Sequence, residues 1–479
     1  MIAAVVRKEL TVLRRDGRVL ALIALIGALV LVALLAAWAA HVEHEQQVRR
    51  AQSDDQQAFT QQARKSSHSA AHFGRMAYKP PAPLAVFDPG AAPYLGQVIW
   101  LEAHRQDPAM FRAAEDAPEL ARLADLSVAG VLSTLLPLLI FVMGYGAFAG
   151  ERERGTLRQI MTAGAGHDAV FIGKLVAIAG VGITIAFVVI VVSTATAIVA
   201  SEEAGTGDTI VRSIRVFAGF AAYTCACTGV ALLVSALART ATSALLTLLT
   251  IWAISIVIVP RVAASAGELF HPTPDASVFW TQASDSIRAN RPKRGSDALR
   301  AIEQQVMGRA LGREISATDD AGAVNLNRAA LGQEISEVLG AQVYAEAYRS
   351  LYDTYEQQRE TRRRASVITP AIALMHWSSA LSGTDIAAHS HFALEAEQQR
   401  QTIVRRINED MMVNGAGLGY EYLPAAEFWS SVPDFSYRPP TAAFAARSAL
   451  ADLMVLLAWG ALAIAAAWGA ARRLSRIHL

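Results

Sequence analysis

Six apolar stretches without a central charge divide the chain, and each is long enough to cross a bilayer core of about 30 Å. Together they predict six membrane-spanning helices. The third is long enough to tilt or to extend past the bilayer. The fourth and fifth are separated only by Ala238-Arg239-Thr240, which predicts a tight hairpin. The runs lie at 19–40, 127–149, 169–200, 216–237, 241–260 and 447–470.

Two long polar segments, 41–126 and 261–446, interrupt the apolar runs. The first is predicted to continue span one as a helix and then to pass through turns in the proline-rich stretch YKPPAPLAVFDPGAAPY. The second shows helical periodicity, with an apolar stripe every four residues at Val343, Ala347, Leu351 and Tyr355. Another amphipathic helix is predicted in HFALEAEQQRQTIVRRINEDMM. The expected fold is therefore all-α and polytopic, with a mainly helical external domain formed by the loops between spans one and two and spans five and six.

Composition and charge refine this picture. The chain has 479 residues, of which 53% are hydrophobic and 18% charged, with a net charge of +1. Typical globular proteins carry about 25% charged residues, and no basic stripe points to nucleic acid. Basic residues gather near the N-terminus, in the loop 150–168, at Arg239 and in the tail 471–479. The positive-inside rule then places both termini in the cytoplasm and the two polar segments outside.

The loop after span two reads AGERERGTLRQIMTAG. Leu157, Ile160 and Met161 would share one face of a short helix, with Arg154 and Arg158 on another face. The residues alone leave two interpretations open, an ordinary positively charged loop and an amphipathic helix lying on the membrane surface.

A family resemblance favours the helix. ERERGTLRQIMTAGAGHDAVFIGKLVA resembles the E-x-E-x-G-T-L stretch of ABC-2 type (type V exporter-like) transporter permeases, which continues into a short helix and a Gly-Lys pair before the next span. RKELTVLRRDGRVL resembles the interfacial helix, here 1–18, that precedes span one in these permeases. The residues matching that helix are Arg7, Lys8, Glu9, Arg15 and Asp16.

The resemblance implies that the loop is a coupling helix, which docks onto a nucleotide-binding subunit. Glu151, Glu153 and Arg154 would engage that subunit or the interfacial helix, and Gly155 with Thr156 would set the turn. It also implies two copies of an ABC ATPase subunit, a second copy or paralogue of the permease, and the bacterial inner membrane. The matching residues are Glu151, Arg152, Glu153, Arg154, Gly155, Thr156, Leu157 and Arg158.

No motor motif is found in the sequence. A phosphate-binding loop needs G-x-x-x-x-G-K-[ST] after a strand. The nearest text, DAVFIGKLV, has Asp168 in place of the first glycine and Leu175 in place of the hydroxyl residue. The chain is therefore predicted to be a permease rather than an enzyme, with ATP and Mg²⁺ held by the partner ATPase.

The second polar segment resembles a subgroup of these permeases that carries a large periplasmic insertion, among them relatives of the gliding-motility and nitrous-oxide-reductase accessory permeases. The resemblance lies in PAIALMHWSSALSGTDIAAHSHFALEAEQQRQTIVRRIN and implies no defined role for the motif, although a periplasmic partner is conceivable. The motif residues are Ser382, Gly383, Thr384, Asp385, His389, Phe392, Glu397, Arg400 and Asn408.

Polar residues inside the spans are candidates for a substrate path, although such residues also make ordinary helix–helix contacts in membranes. The span centres lack charge, with Lys174 and Asp452 near span ends. This favours a transporter powered from outside the spans and an amphiphilic or peptide-like cargo. The path candidates are Thr184, Thr194, Tyr223, Thr224, Thr228, Thr247 and Thr250.

Three functional interpretations follow. The first is an ATP-driven permease subunit that exports or extracts an amphiphilic or peptide-like substrate. The second is a mechanotransmission or scaffold subunit that acts on periplasmic partners without moving cargo. The third is a membrane-anchored metal-binding accessory, suggested by the spacing of His68 with His72 and of His41 with His44. Helical histidine pairs are usually solvated, so no metal site is predicted.

Overall fold

The computed structural model describes residues 1–62, 64–116, 126–162, 166–200, 205–316 and 324–477, with side chains omitted at 161–162 and 475–477. The described chain is mainly helical with very little sheet, in agreement with the expected fold. In chain order the helices are α1 (Ile2–Arg15), α2 (Gly17–Thr60), α3 (Ser67–Phe73), α4 (Ala113–Asp116), α5 (Val128–Gly144), α6 (Ala149–Glu153), α7 (Thr156–Thr162), α8 (His167–Ala200), α9 (Thr206–Leu237), α10 (Ala241–Trp252), α11 (Val259–Phe270), α12 (Ala276–Asn290), α13 (Asp297–Leu311), α14 (Arg328–Arg364), α15 (Pro370–Ser382), α16 (Ile386–Asn414), α17 (Ala426–Ser430), α18 (Ala442–Ser448) and α19 (Leu450–Ile477).

Six helical segments of the described chain are long and apolar enough to cross a membrane: α2, α5 with α6, α8, α9, α10 with α11, and α19. The segments of α5 and α9 are the most buried, and that of α10 and α11 is the least buried. Helix α9 packs along α5, α8, α15 and α19. The bundle is therefore built around α5 and α9, and α10 with α11 presents most of its surface outwards.

Several helices extend beyond the apolar runs. Helix α2 continues to Thr60, which confirms the predicted extension of span one, and α9 begins at Thr206 rather than at 216. The earlier start places Arg212 and Arg215 inside a helix and not in a loop. A hydropathy window stops at the first charge, whereas a helix continues wherever tertiary contacts satisfy that charge.

Span five contains a π-helical segment, Ala253–Ile258, between α10 and α11. Pro260 follows this segment and has no N–H to donate to the carbonyl four residues earlier. A neighbouring carbonyl, that of Ser255, accepts a hydrogen bond from Thr369 Oγ1 at 3.1 Å. The local widening of the helix is thus stabilised by a contact from outside the span.

The residues outside the spans form a mainly helical domain in which α14 and α16 pack along each other. Its two-stranded antiparallel sheet pairs β1 (Arg75–Tyr78) with β2 (Val98–Leu101). The predicted helix over Val343–Tyr355 is confirmed, but Tyr344 and Tyr348 are its buried residues and the predicted stripe is half-buried beside them. A stripe at every fourth residue drifts around a helix of 3.6 residues per turn, so it cannot stay on one buried face.

Buried charged residues connect the helical domain to the helix bundle. Arg212 is 1% exposed, pairs with Asp208 at 2.6 Å, and donates to the backbone carbonyls of Leu381 (2.8 Å) and Pro440. Asp452, which is fully buried near the start of α19, lies 3.3 Å from His376 Nδ1. These charges lie near helix ends, where the sequence already placed Asp452, and each has a partner in the structure.

Candidate functional site

Five segments meet at one end of the helix bundle: α1, the pair α6 and α7, the start of α8, the α9–α10 connection, and the end of α19. Asp168, at the start of α8, pairs with Arg472 of α19 at 2.8 Å and accepts a hydrogen bond from Trp468 Nε1 at 2.8 Å. This end carries the charged loop that the sequence singled out, so we refer to it as the charged end.

A buried ion cluster formed by Lys8, Glu9, Glu151 and Lys174 lies at the centre of the charged end. Lys174 Nζ is 2.7 Å from Glu9 Oε1 and 2.9 Å from Glu151 Oε1. Lys8 Nζ is 2.9 Å from Glu9 Oε1 and also contacts Glu151. The side chains of Lys174 and Glu151 are 1% and 4% exposed. Two ammonium and two carboxylate groups balance in charge, which is what makes their burial tolerable.

The electrostatics of the cluster favour the charged forms of its two α1 residues, Lys8 and Glu9. Burial disfavours the ammonium of Lys8, but hydrogen bonds to Glu151 and Glu9 outweigh it and raise the pKa of Lys8. Burial likewise opposes the carboxylate of Glu9, yet the charges and hydrogen bonds of Lys174 and Lys8 together outweigh it and lower the pKa of Glu9. These shifts favour the charged forms of Lys8 and Glu9, and the contacts of the cluster connect α1 with α6 and α8.

The Gly173-Lys174 pair has a structural reason at this position. A Cβ at Gly173 would lie 2.6 Å from Val5 of α1, so only glycine lets the two helices approach this closely. That approach brings Glu9 within reach of Lys174. The pair resembles part of a phosphate-binding loop only in its residue types. In the fold it allows α1 to pack closely against α8.

The next residues of the loop tie it to spans four and five. Arg152 donates to the carbonyls of Ala236 (3.4 Å) and Ala238, satisfying carbonyls at the end of α9. Glu153 Oε2 accepts a hydrogen bond from the backbone N–H of Ala241 at 3.1 Å, at the start of α10. Ser235 Oγ accepts from two loop N–H groups, at 2.9 and 3.2 Å. A displacement of the loop would therefore move the ends of both spans.

The loop itself consists of two short helices that meet at Gly155, whose φ of +69° is a left-handed conformation suited to glycine. Thr156 Oγ1 donates to the carbonyl of Glu151 at 3.2 Å across this turn. Leu157 and Ile160 pack against the apolar core, while Arg154 and Arg158 are exposed. Helix α7 is thus amphipathic; the side chain of Met161 and residues 163–165 of the predicted coupling segment lie outside the described part of the chain.

The interfacial helix and the start of span one are joined by Asp16. Its carboxylate caps α2 by accepting from the N–H of Arg18 at 3.0 Å and pairs with the Arg18 guanidinium at 2.9 Å. That guanidinium lies 5.6 Å from the ring centre of Tyr145, near the end of α5. Arg7 and Arg15 are exposed on α1. The charged end therefore exposes arginines of α1 outside a paired interior.

Residues 3–468 match the family model described as ABC-2 family transporter protein. The chain belongs to the ABC-2 family. It is the membrane permease subunit of an ABC transporter, a multi-pass component whose family works with an ABC ATPase and is not itself a catalytic enzyme. A search of curated proteins found no match to the chain.

In this ABC-2 permease the Ser-Gly-Thr-Asp motif forms the turn between α15 and α16. Gly383 has a φ of +75°, and Asp385 caps α16 by accepting from the N–H of Ala388 at 3.0 Å. The backbone carbonyls of Ser382 and Thr384 accept hydrogen bonds from the N–H groups of Leu84 (3.3 Å) and Ala91 (3.0 Å). The motif anchors the proline-rich loop of the first polar segment to the second.

The rest of the motif lies along α16 inside the helical domain. Arg400 is 1% exposed and pairs with Glu397 at 2.8 Å and with Glu337 at 2.9 Å. Asn408 Nδ2 donates to Glu334 Oε2 at 3.0 Å. Phe392 is fully buried and His389 is 7% exposed. The placement of these residues is that of a buried polar framework that holds α14 and α16 together.

The polar span residues fall into two groups that share no single surface. Tyr223, Thr224 and Thr228 are buried on α9, where Tyr223 donates to the carbonyl of Ser133 at 3.1 Å. Thr194 pairs with Ser213 at 2.7 Å between α8 and α9. The others are exposed on outer faces and donate back to carbonyls of their own helices; they are Thr184, Thr247 and Thr250.

Sequence reasoning missed three contributors to the charged end: Ser235, Gly173 as a contact point, and Lys174 as the centre of the ion cluster. A lysine near the start of an apolar span, with no charge beside it, was the available signal, because such a group needs a partner from elsewhere in the chain.

Proposed function

We propose that this permease subunit converts ATP hydrolysis in two associated ATPase subunits into movement of its spans, and that it exports or extracts an amphiphilic or peptide-like substrate. ATP and Mg²⁺ bind the ATPase subunits. A second copy of the chain, or a paralogue, completes the assembly in the bacterial inner membrane. The observation that carries the proposal is the buried ion cluster, since it joins α6, which precedes α7 in the loop, to α1 and α8.

In this proposal, these contacts transmit a push from the ATPase through the loop to the membrane spans. An ATPase subunit that binds Arg154 and Arg158 pushes on α7. The neighbouring helix α6 transmits the push through Glu151 to α1 and α8, and through Arg152 and Glu153 to the ends of α9 and α10. A short helix held by buried charge transmits such a push with little local deformation.

The orientation rests on the distribution of basic residues. The charged end carries the N-terminal helix, the loop and the α9–α10 connection, together with α19 residues near the C-terminus. It also holds most of the basic residues near the spans. By the positive-inside rule this end faces the cytoplasm, and the helical domain is then periplasmic.

In this proposal the second permease subunit packs against α10 and α11, the least buried span. This span exposes Leu246 at 61% and Val262 at 61%, and Thr247 and Thr250 lie on its outer face. A substrate path between two subunits would use this face, which gives these two threonines the role that the sequence suggested.

The docking proposal is tested by photocrosslinking in the native host. A photoreactive residue at position 154 or 158 is expected to capture a protein that mass spectrometry identifies as an ABC ATPase. Position 288 is the matched control, because Arg288 is an exposed arginine of the helical domain, with a side chain 77% exposed. Capture of the ATPase at 288 but not at 154 or 158 would refute the proposal.

Charge reversal at the same positions tests how much the docking contact contributes to ATPase binding. Arg154→Glu and Arg158→Glu are each expected to weaken retention of the ATPase about tenfold, or roughly 1.4 kcal/mol. Arg288→Glu should have no effect. Since all three side chains are exposed, unfolding temperatures should be unchanged, and normal ATPase retention in the double reversal would contradict a docking role.

A second candidate, mechanotransmission to a periplasmic partner without passage of cargo, is favoured by the rigid junction between spans and helical domain. Helix α2 passes without a break from span one to Thr60, and Arg75 in that domain bridges Asp55 of α2 (2.7 Å) and Asp434 (2.9 Å). A structure of the full assembly separates the two functions. A cavity between the paired spans supports transport, whereas tightly packed spans support mechanotransmission.

A further inference from the structure

Three histidines meet on the surface of the helical domain. His68 and His72 lie on α3, and His104 follows β2. The potential ligand nitrogens of the three rings all lie within 4.8 Å of one another, and the described residues contain no other such group of three metal-binding side chains. We refer to these residues as the three-histidine cluster.

The backbone holds this cluster in place. His68 and His72 are four residues apart, so α3 presents them on one face. The N–H of Ala103 donates to the carbonyl of Ala71 at 3.0 Å, which fixes the residue before His104 beside α3. His104 itself has a φ of +75°, a strained conformation for a non-glycine residue that is typical of functional positions.

Helix α14 supplies partners for two of the rings. Glu337 Oε1 lies 3.0 Å from His104 Nδ1 and also accepts the backbone N–H of His104. The other oxygen of Glu337 is held by Arg400 at 2.9 Å. The side-chain amide of Gln333 contacts His68 Nδ1; with the amide oxygen turned towards the ring, it would accept from Nδ1–H in the same way. A carboxylate on Nδ1–H fixes the tautomer and leaves Nε2 free as a ligand, the pattern found behind histidines that bind metals.

We propose that the three-histidine cluster binds a divalent transition-metal ion of the zinc class. Three imidazoles suit zinc, copper or nickel and do not suit calcium or magnesium, which take oxygen ligands. Ligand bonds of about 2.0–2.1 Å require the nitrogens to approach one another more closely than 4.8 Å. The present separations are at most 4.8 Å, and a turn of the exposed His72 ring would shorten its distances to the other two. A fourth position stays open to water.

The bound ion links α3 to the residues that follow β2, both within the first polar segment. Glu337 and Gln333 connect the histidines to α14. Contacts between α3 and α16 extend this link towards the motif helix. The site thus stabilises the junction between the two insertions that make up the helical domain.

The test titrates Zn²⁺ alone into the full chain, purified in detergent without a histidine tag, in competition with a chromophoric chelator at pH 7.5. One Zn²⁺ per chain is expected. His72→Gln and His104→Asn each remove one ligand and should weaken binding by about 100-fold or more. Asparagine is chosen at 104 because it tolerates the left-handed backbone. Gln333→Leu should weaken binding about 10-fold to 100-fold.

His271→Gln is the matched control, since His271 lies outside the cluster, and it should bind Zn²⁺ as the unaltered chain does. Zn²⁺ should raise the unfolding temperature of the unaltered chain and of His271→Gln but not that of His72→Gln. If His104→Asn folds poorly without metal, His72→Gln on the exposed face of α3 decides the question alone. Equal Zn²⁺ affinity in His72→Gln and the unaltered chain overturns the proposal.

Discussion

Replacement of Lys174 by methionine tests the buried ion cluster most directly. Methionine keeps the length of the side chain and removes its charge, leaving Glu9 and Glu151 with Lys8 as their cation in the cluster. Lys8 has a side chain 44% exposed, so water screens it and it cannot replace the lost contacts in full.

The magnitude follows from the two distances to Lys174, 2.7 and 2.9 Å. In an effective dielectric constant of about 20, each contact corresponds to about 6 kcal/mol of gross attraction. Desolvation of the ions offsets most of this attraction. Removing one partner of a buried ion pair typically costs about 3–5 kcal/mol, because an uncompensated charge stays buried. We expect Lys174→Met to lose free energy of unfolding in that range.

The assay is fluorescence-monitored unfolding of the purified chain in detergent. The double variant Lys174→Met/Glu9→Gln restores charge balance, because Lys8 then pairs with Glu151. It should recover about 1–3 kcal/mol relative to the single variant. Lys293→Met, at an exposed position of the helical domain, should stay within about 0.5 kcal/mol of the unaltered chain.

Two results would refute the reasoning. If Lys174→Met were as stable as Lys293→Met, the cluster would not contribute to the fold. If the double variant were less stable than the single variant by the full effect of a second deletion, the residues would act independently and not as a charge-balanced unit.

The remaining predictions concern packing, the motif arginine and pH. Gly173→Ala should cost about 1–3 kcal/mol and loosen α1, since its Cβ would lie 2.6 Å from Val5; limited proteolysis of the N-terminus measures the loosening. Arg400→Met should lower the free energy of unfolding by about 3–5 kcal/mol, because the buried carboxylates Glu337 and Glu397 both lose the arginine that pairs with them; the unfolding assay checks this. Burial lowers the pKa of Lys79 to about 8, so the fold loses stability as the pH falls from about 10.5 through 8. Lys79→Met should therefore gain about 3 kcal/mol at pH 7 and much less at pH 10.5 or above, as unfolding at the two pH values will show; an equal gain at both contradicts the shift.

The helical nature of the chain and its spans were predictable because both depend on local sequence. An apolar run of sufficient length must satisfy its backbone hydrogen bonds internally, and a helix is the way to do so within one segment. The charged loop was recognisable for the same reason, since its residues are contiguous. The ends of the helices were less predictable, as the early start of α9 shows.

The partners of the buried charges could not be predicted from the sequence. Lys174 meets Glu9 and Glu151 across long stretches of chain, and no periodicity relates these positions. The same holds for Arg400 with Glu337. The sequence around each of these residues shows only that a charged residue lies in or beside an apolar run. Which opposite charge compensates it depends on how the helices pack.

The three-histidine cluster shows the difference between what the sequence reveals and what depends on tertiary contacts. The spacing of His68 and His72 is visible in the sequence and indicates a shared helix face. The third histidine joins them because β2 pairs with β1 and returns the chain to α3. Sequence by itself determined the membrane helices and the charged loop, since local hydrophobicity and backbone hydrogen bonding decide these. The tertiary structure alone decided the ion cluster and the three-histidine cluster, since both depend on contacts between segments far apart in the chain.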